Sequence, residues 1–430
     1  MRLEKAMSTT GSCRAVEAEQ VEKLSSMLEA ELSGNSFYRR KLLEKGFSTV
    51  HSLADFRKFP FTTKRELVED QMAHPPFGSA LTFPIDRYVR IHQTSGTTGK
   101  PMYWLDTDES WQWWAGCWKT IFEAAGVEPA DRIFFAFSFG PFIGFWSAWE
   151  GARKLGALAI SGGSQSTIQR LQAIINYQAT VLVCTPTYAL HMAAEARAAG
   201  IDLANGSKIR ITIHAGEPGA SIPSTRKRIE DAWGAKCYDH PGATEVGAFG
   251  FECQARPGGV HVNEREFIAE VIDPETGEPV KEGEQGELIM TNLGRFGSPI
   301  IRYRTGDLVQ PSLKACACDR PFVVLEGGVL GRADDMIIIR GVNVFPSAIE
   351  NVMREFPEIE EFRIDTYLRE EMRELKLTLE PRSDCASIQV LQENVARRFR
   401  ERLGLRPEVE TVASGTLPRF ELKAKRFFKL

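Results

Sequence analysis

Long apolar runs, an excess of charge of one sign and cysteine are all scarce in this chain of 430 residues. No apolar run reaches the roughly 18 residues that a membrane-spanning helix requires. The first twenty residues also lack the apolar core of a signal peptide. These absences predict a cytoplasmic protein that has no membrane partner.

The charge balance argues against a second class of partner. The chain has 53 basic and 57 acidic residues, which gives a formal net charge of −4. Proteins that bind nucleic acid or an anionic membrane surface usually carry a basic excess, and this sequence does not. Small-molecule chemistry is therefore the expectation. The oligomeric state stays open between a monomer and a homodimer.

Eight cysteines in a chain of this length do not form the dense framework of a disulfide-stabilised protein. Free thiols or metal ligands are expected instead. Cys316 and Cys318 share one predicted loop, and Cys253 and His261 lie upstream. Three thiolates and one imidazole fit a closed tetrahedral site for structural zinc, which would leave no open position for catalysis. Free thiols are the alternative interpretation.

Ordinary globular composition, with 43% apolar and 26% charged residues, and this length predict two or three domains. Between residues 155 and 245, predicted strands alternate with helices of ten to fifteen residues. This alternation is typical of βαβ units and a parallel sheet. Ligands bind at the carboxyl ends of such strands. Chemistry is therefore expected in the loops at residues 185–187, 214–218 and 239–245.

An apolar run over residues 133–142 predicts one continuous buried strand that breaks at Gly140 and Pro141 into a helix. The carboxyl end of this strand would carry Phe139 and Phe142. Both side chains are candidates for the wall of a ligand pocket, and plain core packing is the alternative for each.

The polar stretch at residues 93–101 reads Gln-Thr-Ser-Gly-Thr-Thr-Gly-Lys-Pro. Its hydroxyl groups, glycines and lysine indicate a loop that grips polyphosphate, between strands predicted at residues 88–92 and 102–105. It is not a Walker A loop, because Thr94 and Pro101 stand where that motif requires Gly and Ser or Thr. A polar surface turn is the alternative interpretation.

These residues resemble the phosphate loop of the adenylate-forming superfamily of acyl-CoA synthetases, luciferases and adenylation domains. Segments at residues 214–218, 239–245, 302–307, 331–337 and 340–346 resemble further motifs of its phenylacetate-CoA ligase branch, in the same order. The resemblance implies that a carboxylate attacks the α-phosphorus of ATP and expels pyrophosphate. The acyl group then passes from AMP to CoA.

The resemblance also implies roles for single residues. Thr244 would lie near the α-phosphate, and Glu245 would hold Mg²⁺. Asp307 would accept hydrogen bonds from the ribose hydroxyl groups, with support from Arg332. The departing phosphates would be held by Thr94, Ser95, Gly96, Thr97, Thr98, Gly99 and Lys100.

The nucleotide base and the acid are assigned in the same way. The cofactor would be lined on the adenine side by Ala215, Gly216, Glu217, Pro218, Asp239 and His240. A snug apolar slot for the acid would be lined by Phe139, Phe142, Ala215, Gly242 and Ala243. Pro241 departs from the family, which commonly has a tyrosine there that stacks on adenine. His240 would stack in its place or remain an ordinary loop histidine.

The final hundred residues predict a second, smaller α/β unit. The expected domains are 1–333, which binds nucleotide and acid, and 334–430, which swings about Asp334 between the two half-reactions. Gly341 would line the tunnel for the pantetheine arm of CoA. Lys423 would reach the substrate carboxylate and the α-phosphate. Leu422 precedes it where the family usually has glycine, and Lys425 is the alternative lysine.

The fold class expected is mixed α/β: a large N-terminal domain on parallel βαβ sheets with a smaller β-rich subdomain, and a small mobile C-terminal domain. The function expected is ATP- and CoA-dependent ligation of a small aromatic carboxylic acid. Two alternatives stay open. In the first, the chain forms the adenylate but transfers the acyl group to a carrier protein or an amine. In the second, the chain is a non-catalytic ligand-binding homologue.

Overall fold

The computed structural model describes residues 11–94, 101–333, 337–340, 342–369, 372–420 and 424–430. Its helices are α1 (Gly11–Gly34), α2 (Ser36–Leu43), α3 (Leu53–Phe56), α4 (Lys64–Ala73), α5 (Asp108–Ala125), α6 (Ile143–Leu155), α7 (Thr167–Asn176), α8 (Pro186–Ala198), α9 (Leu203–Gly206), α10 (Pro223–Trp233), α11 (Pro346–Arg354) and α12 (Ile388–Leu403). None of the helices within those ranges is long and apolar enough to cross a membrane.

The strands form several separate sheets. They are β1 (Tyr88–Gln93), β2 (Tyr103–Thr107), β3 (Arg132–Phe135), β4 (Leu158–Ser161), β5 (Val181–Cys184), β6 (Ile211–His214), β7 (Lys236–Asp239), β8 (Gly250–Glu252), β9 (Gly259–Val262), β10 (Phe267–Ile272), β11 (Gly286–Asn292), β12 (Tyr303–Val309), β13 (Pro311–Ser312), β14 (Val324–Glu326), β15 (Gly331–Arg332), β16 (Ile337–Ile339), β17 (Val342–Val344), β18 (Ile359–Arg369), β19 (Met372–Pro381), β20 (Glu408–Thr411) and β21 (Phe427–Lys429).

The central sheet is parallel and five-stranded, in the order β4-β3-β5-β6-β7. Helices cover both of its faces, so β5 is apolar throughout rather than alternating. Val181 and Val183 point into one core cluster, whereas Leu182 and Cys184 point into the other. The alternation of strands and helices in the sequence therefore predicted this sheet correctly.

The aromatic strand is shorter than its sequence predicts. β3 ends at Phe135, so the prediction of one continuous strand over residues 133–142 is wrong in length. The Phe137 N–H bonds back to the Phe135 carbonyl, which closes a turn. Phe137 then stacks on Phe145 of α6 with ring centroids 3.6 Å apart. Apolar residues beyond the strand are thus buried by aromatic packing instead of by strand pairing.

A hairpin flanks the predicted phosphate loop. β1 and β2 pair antiparallel, and Gln93 lies opposite Tyr103 at the open end of the ladder. The two strands predicted around the loop are confirmed. Nearby, α4 begins with a capping box in which Thr63 and Glu66 satisfy each other's backbone N–H groups.

Two antiparallel sheets form the β-rich subdomain, in the orders β10-β11-β12-β15 and β13-β14-β9-β8. The C-terminal part has its own sheet, β20-β19-β18-β21, with α11 and α12 packed on it around a separate core cluster. The hairpin β16-β17 precedes α11. The fold class predicted from the sequence is confirmed.

Candidate active site

One buried arginine, Arg295, holds the turn that follows β7 through hydrogen bonds to its backbone. Arg295 Nη1 donates to the Thr244 carbonyl at 2.7 Å and to the Glu245 carbonyl at 3.3 Å. Backbone hydrogen bonds between Ala243 and Gly247 close the same turn. The peptide units that carry both candidate catalytic side chains are therefore fixed by a buried guanidinium group.

Arg295 is itself locked in place. It forms a two-pronged ion pair with Asp106, at 2.7 and 2.8 Å, and both side chains are fully buried. Its guanidinium lies 5.2 Å from the ring centroids of Trp104 and Trp114. Sequence reasoning missed this arginine, because 189 residues separate it from Asp106 and nothing local marks the pair.

Glu245, the predicted magnesium ligand, is almost buried and faces a lysine. Its Oε1 lies 3.2 Å from Lys64 Nζ at the start of α4. Carboxylate oxygen is the ligand that Mg²⁺ prefers, so Glu245 fits that role. The neighbouring ammonium group suits the anionic phosphates that would bind there. Lys64 is a second site residue that sequence reasoning missed, since 181 residues separate it from Glu245 in the chain.

Thr94 lies at the base of the predicted phosphate loop. Its hydroxyl oxygen accepts a hydrogen bond from the Met102 N–H at 3.0 Å, and its own N–H donates to the Met102 carbonyl at 3.0 Å. The Gln93 N–H donates to the Pro141 carbonyl at 3.0 Å. This last bond ties the base of the phosphate loop to the aromatic loop that follows β3.

Nine predicted site residues lie outside the described residues. They are Ser95, Gly96, Thr97, Thr98, Gly99, Lys100, Asp334, Gly341 and Lys423.

The two aromatic candidates have different environments. Phe139 is half-buried, and its ring centroid lies 4.5 Å from that of Trp146 and 5.6 Å from that of Trp149. Phe142 is 41% exposed. Trp146 Nε1–H donates to the Gly140 carbonyl at 2.8 Å, which fixes the turn between them. The loop therefore presents one packed aromatic wall and one open ring at the carboxyl edge of the sheet.

Small residues occupy the loops after β6 and β7, which are neighbouring parallel strands. Gly216 and Gly242 are exposed, and Ala215 and Ala243 are half-buried. Gly216 has φ of +96°, a conformation that favours glycine. Pro218, which is exposed, lies further along the first of these loops, before α10 begins at Pro223. The structure thus brings the residues predicted to line adenine and acid to one edge of the sheet.

Asp307 and Arg332 are cross-strand neighbours on β12 and β15. Arg332 Nη1 lies 3.3 Å from Asp307 Oδ1 and 3.3 Å from the Thr305 carbonyl. Gly306, which lies between Thr305 and Asp307 in the chain, has φ of +74°, and a Cβ there would lie 2.8 Å from Arg332 Nη2. The glycine gives the arginine room beside the carboxylate, as the two predicted roles at one ribose require.

Glu217 faces the C-terminal domain. Its carboxylate accepts from the Thr187 N–H at 2.9 Å and from the Ala424 N–H at 2.8 Å. Burial raises the pKa of this carboxyl group. The side chain thus holds the segment next to the predicted catalytic lysine, and only the backbone of Glu217 is left to line adenine.

The ring of His240 is turned into the core. Its Nδ1 lies 2.6 Å from the Gly250 carbonyl oxygen, and its centroid lies 4.3 Å from that of Trp118. Burial lowers the pKa of His240 to about 4, so the imidazole is neutral at pH 7. In this arrangement the ring does not stack on adenine, so the ordinary packing role describes it better.

Asp239 at the end of β7 is also buried. Its N–H donates to Glu252 Oε2 at 2.7 Å. Burial, with a further contribution from the Glu252 carboxylate, raises the pKa of the Asp239 side chain to about 7. Near neutral pH the Asp239 side chain is therefore present both as a protonated carboxyl group, which can donate a hydrogen bond, and as a charged carboxylate.

The four predicted zinc ligands are brought together. The ligand atoms of Cys253, His261, Cys316 and Cys318 all lie within 4.8 Å of one another. Cys253 Sγ is 3.5 Å from Cys316 Sγ, and Cys318 Sγ is 3.6 Å from His261 Nε2. Ligands of tetrahedral zinc, with Zn–S bonds of about 2.3 Å, are separated by roughly 3.8 Å. The cluster therefore fits a metal ion, and it joins β8 and β9 to the loop before β14.

Comparison with known proteins agrees with this geometry. The family model for "AMP-binding enzyme" matches residues 48–295, and that for "AMP-binding enzyme C-terminal domain" matches residues 341–430. Phenylacetate-coenzyme A ligase of Escherichia coli K12 is 33% identical, over 98% of this chain and 96% of its own. The Pseudomonas putida enzyme of the same name is 32% identical, over 96% and 94%.

Two solved structures of one other ligase are also similar to this chain. The crystal structure of 2-hydroxyisobutyryl-CoA ligase in the postadenylation state with 2-HIB-AMP has a TM-score of 0.92 at 30% identity, covering 98% of this chain and 90% of that one. The same ligase with 2-HIB-AMP and CoA in the thioesterification state has a TM-score of 0.73 at 31% identity, with the same coverage. The resemblance inferred from the motifs is confirmed.

Proposed function

The chain belongs to the AMP-binding enzyme family and is an adenylate-forming acyl-CoA ligase, and we propose that its substrate is a small aromatic carboxylic acid. Curated relatives of nearly equal length are phenylacetate-coenzyme A ligases. The acid would be converted to an acyl-adenylate and then to an aryl-CoA thioester.

The observation that carries this proposal is the hydrogen bond from the Gln93 N–H to the Pro141 carbonyl. It places the aromatic loop, with Phe139 and Phe142, directly beside the base of the phosphate loop. An acid held against those rings would have its carboxylate near the phosphates of ATP. Ala215, Gly242 and Ala243 leave room for a flat ring because their side chains are small.

Catalysis of the first step consists of positioning and counter-charge, because negative charge builds up on phosphate oxygens. Thr244 lies in the turn fixed by Arg295 and would contact the α-phosphate. Glu245 would hold Mg²⁺, which neutralises phosphate charge when bound. Lys64, whose ammonium group lies beside the Glu245 carboxylate, would pair with phosphate oxygens. Thr94 and the loop after it would hold the departing pyrophosphate.

The nucleoside would lie between the loops after β6 and β7 and the pair formed by Asp307 and Arg332. Asp307 would accept hydrogen bonds from the ribose hydroxyl groups. Arg332, held against the Thr305 carbonyl and Asp307, would fix the orientation of that carboxylate. Adenine would contact the backbone at residues 215–218 rather than the ring of His240.

We infer that the domains are 1–333 and 334–430 and that they rearrange about Asp334 between the half-reactions. The higher TM-score against the postadenylation state supports an adenylation-type arrangement here. The bond from the Ala424 N–H to Glu217 would hold Lys423 near the acid in this arrangement. Gly341 would line the path of CoA in the other.

We also propose that Cys253, His261, Cys316 and Cys318 hold a structural zinc ion. The compact set of four ligand atoms supports this assignment. When bound, the ion would tie the loop before β14 to the sheet that carries Glu252, next to the turn after β7.

The test is acid-dependent release of pyrophosphate from ATP over a panel of benzoates, phenylacetates, hydroxy- and amino-aryl acids, fatty acids and 2-hydroxyisobutyrate, with and without CoA. We expect an aromatic acid to give the highest kcat/KM and CoA to give the aryl-CoA thioester. Preference for an aliphatic acid would overturn the aromatic assignment. Transfer of the acyl group to a carrier protein and not to CoA would overturn the assignment of CoA as the acyl acceptor.

A further inference from the structure

A cleft of about 580 Å³ lies between the two domains, and none of the residues assigned above to ATP, acid or CoA lines it. One lining residue, Thr187, donates its N–H to Glu217 at 2.9 Å. One wall comes from helices α8 to α10 of the larger domain. The other comes from the end of α11 and from loops of the smaller domain. The domains touch beside it, since Ser224 Oγ donates to the Asn351 carbonyl at 3.1 Å.

Six guanidinium groups line this cleft. They belong to Arg197, Arg228, Arg354, Arg382, Arg419 and Arg426. Three of them pair with neighbouring carboxylates: Arg426 with Glu361 at 2.6 Å and with Glu350 at 3.2 Å, Arg382 with Asp384 at 2.7 Å, and Arg419 with Glu380.

Arg354 and Arg228 have fewer partners. Arg354 is 4% exposed, its Nη2 lies 3.5 Å from Glu350, and its Nε–H has no hydrogen-bond partner within the described ranges. Arg228 Nη1 is buried and likewise lacks a partner there, while its Nη2 reaches the Ile359 carbonyl at 3.4 Å. Buried donors without acceptors cost about 1 to 3 kcal/mol each, and more when charged.

The acids in the cleft do not cancel this charge. Asp202 caps α9 by accepting from the Asn205 N–H, and Asp231 pairs with Lys227. Glu360 is left to face the arginines. Burial, with additional repulsion from Arg354, lowers the pKa of Arg228 to about 10. Like charges held together in a buried site indicate a place for a counter-anion.

We propose that this cleft is an anion site that takes a phosphate group, with Arg228 of the larger domain and Arg354 of the smaller domain as its principal donors. A phosphate dianion accepts several charge-assisted hydrogen bonds, which suits the guanidinium groups of Arg228 and Arg354, because neither has a two-pronged carboxylate partner among the described residues. Arg197, which is exposed and forms no ion pair with any described residue, lies at the rim.

The site joins both domains, so the bound anion would favour the domain arrangement seen here over any in which α10 and α11 separate. This consequence rests on the proposed function, because it assumes that the domains rearrange during the reaction. The binding itself does not depend on catalysis and is measured without ATP, acid or CoA.

The phosphate group has two sources, free inorganic phosphate and a phosphate carried on a nucleotide. The volume of the cleft admits either. Titration with inorganic phosphate and, separately, with adenosine 3′,5′-bisphosphate distinguishes them. Binding of both identifies free phosphate as sufficient, whereas binding of the bisphosphate alone identifies a nucleotide ligand.

The experiment compares the wild type with Arg228→Gln and Arg354→Gln by calorimetric titration and by Tm, with chloride at equal ionic strength as reference. We expect phosphate to raise the Tm of the wild type and each substitution to weaken its affinity about tenfold or more, the value of one charge-assisted hydrogen bond. Without phosphate, Arg228→Gln should not lower the Tm, because it relieves repulsion.

Arg406→Gln is the matched control. Arg406 is an exposed arginine that lies in the smaller domain, like Arg354, but outside the cleft. Arg228→Lys keeps the charge and should retain most of the affinity. Equal phosphate affinity in the wild type and in the folded Arg228→Gln and Arg354→Gln proteins would overturn the proposal. A fall in Tm of phosphate-free Arg228→Gln would likewise overturn it in favour of a structural role.

Discussion

At the scale of single residues, Asp239 makes the folded protein sensitive to pH. Its carboxyl group has an ordinary pKa of 3.8 and a folded pKa of about 7. Between these values the unfolded chain has released the proton and the folded chain keeps it, so stability falls as pH rises. The cost is fully present above about pH 7 and amounts to at most roughly 4 kcal/mol.

Asp239→Asn removes this ionisation while keeping the shape of the side chain. We expect the Tm of the variant to approach that of the wild type near pH 4 and to exceed it increasingly towards pH 8. Asp86→Asn, at an exposed position, serves as the control. A Tm difference that is constant with pH would contradict the raised pKa of Asp239.

At the scale of elements, the turn after β7 depends on Arg295. Arg295→Met would leave Asp106 buried and unpaired, which typically costs about 3 to 5 kcal/mol. Arg153→Met, which breaks an exposed pair with Glu150, should cost about 1 kcal/mol or less in chemical denaturation.

Arg295→Lys separates stability from positioning. The lysine keeps a charge for Asp106 but lacks the fork that also reaches the Thr244 carbonyl. We expect kcat for acyl-adenylate formation to fall at least tenfold, because small misplacements of a catalytic turn are costly. Wild-type kcat in a folded Arg295→Lys protein would show that this turn does not need the arginine.

The cysteine cluster is a second element-scale feature. Metal analysis of protein purified without chelator should find zinc near one equivalent, and Cys316→Ser should lower the zinc content and the Tm. Cys385→Ser, outside the cluster, should leave both unchanged. Absence of near-stoichiometric zinc in the wild type would refute the structural zinc site.

Elements were predictable where the pattern is local. The alternating strands and helices predicted the parallel sheet, and the polar stretch at residues 93–101 predicted the strands on either side of it. The end of β3 was not predictable, because Phe137 is as apolar as a strand residue and its stacking on Phe145 is a tertiary contact. The partners of Arg295 and Glu217 were hidden for the same reason, since their contacts join distant parts of the chain.

At the scale of the whole molecule, the contact between Glu217 and Ala424 links the sheet edge that is proposed to bind the nucleotide to the residue that follows Lys423. Lys423→Ala should reduce acyl-adenylate formation about a hundredfold or more, because a positive charge at the developing phosphate charge is lost. It should largely spare thioester formation from preformed acyl-adenylate. Lys425→Ala is the control, and equal losses in both half-reactions would show that Lys423 is misassigned.

The central claim is that the chain activates an aromatic acid through its adenylate. The most direct measurement mixes the protein with ATP, Mg²⁺ and phenylacetate without CoA, identifies the products by mass spectrometry, and then adds CoA. The account predicts bound phenylacetyl-AMP and free pyrophosphate in equal amounts, followed by conversion of the adenylate to phenylacetyl-CoA and AMP. No acid-dependent pyrophosphate with phenylacetate or any other aromatic acid of the panel would contradict it.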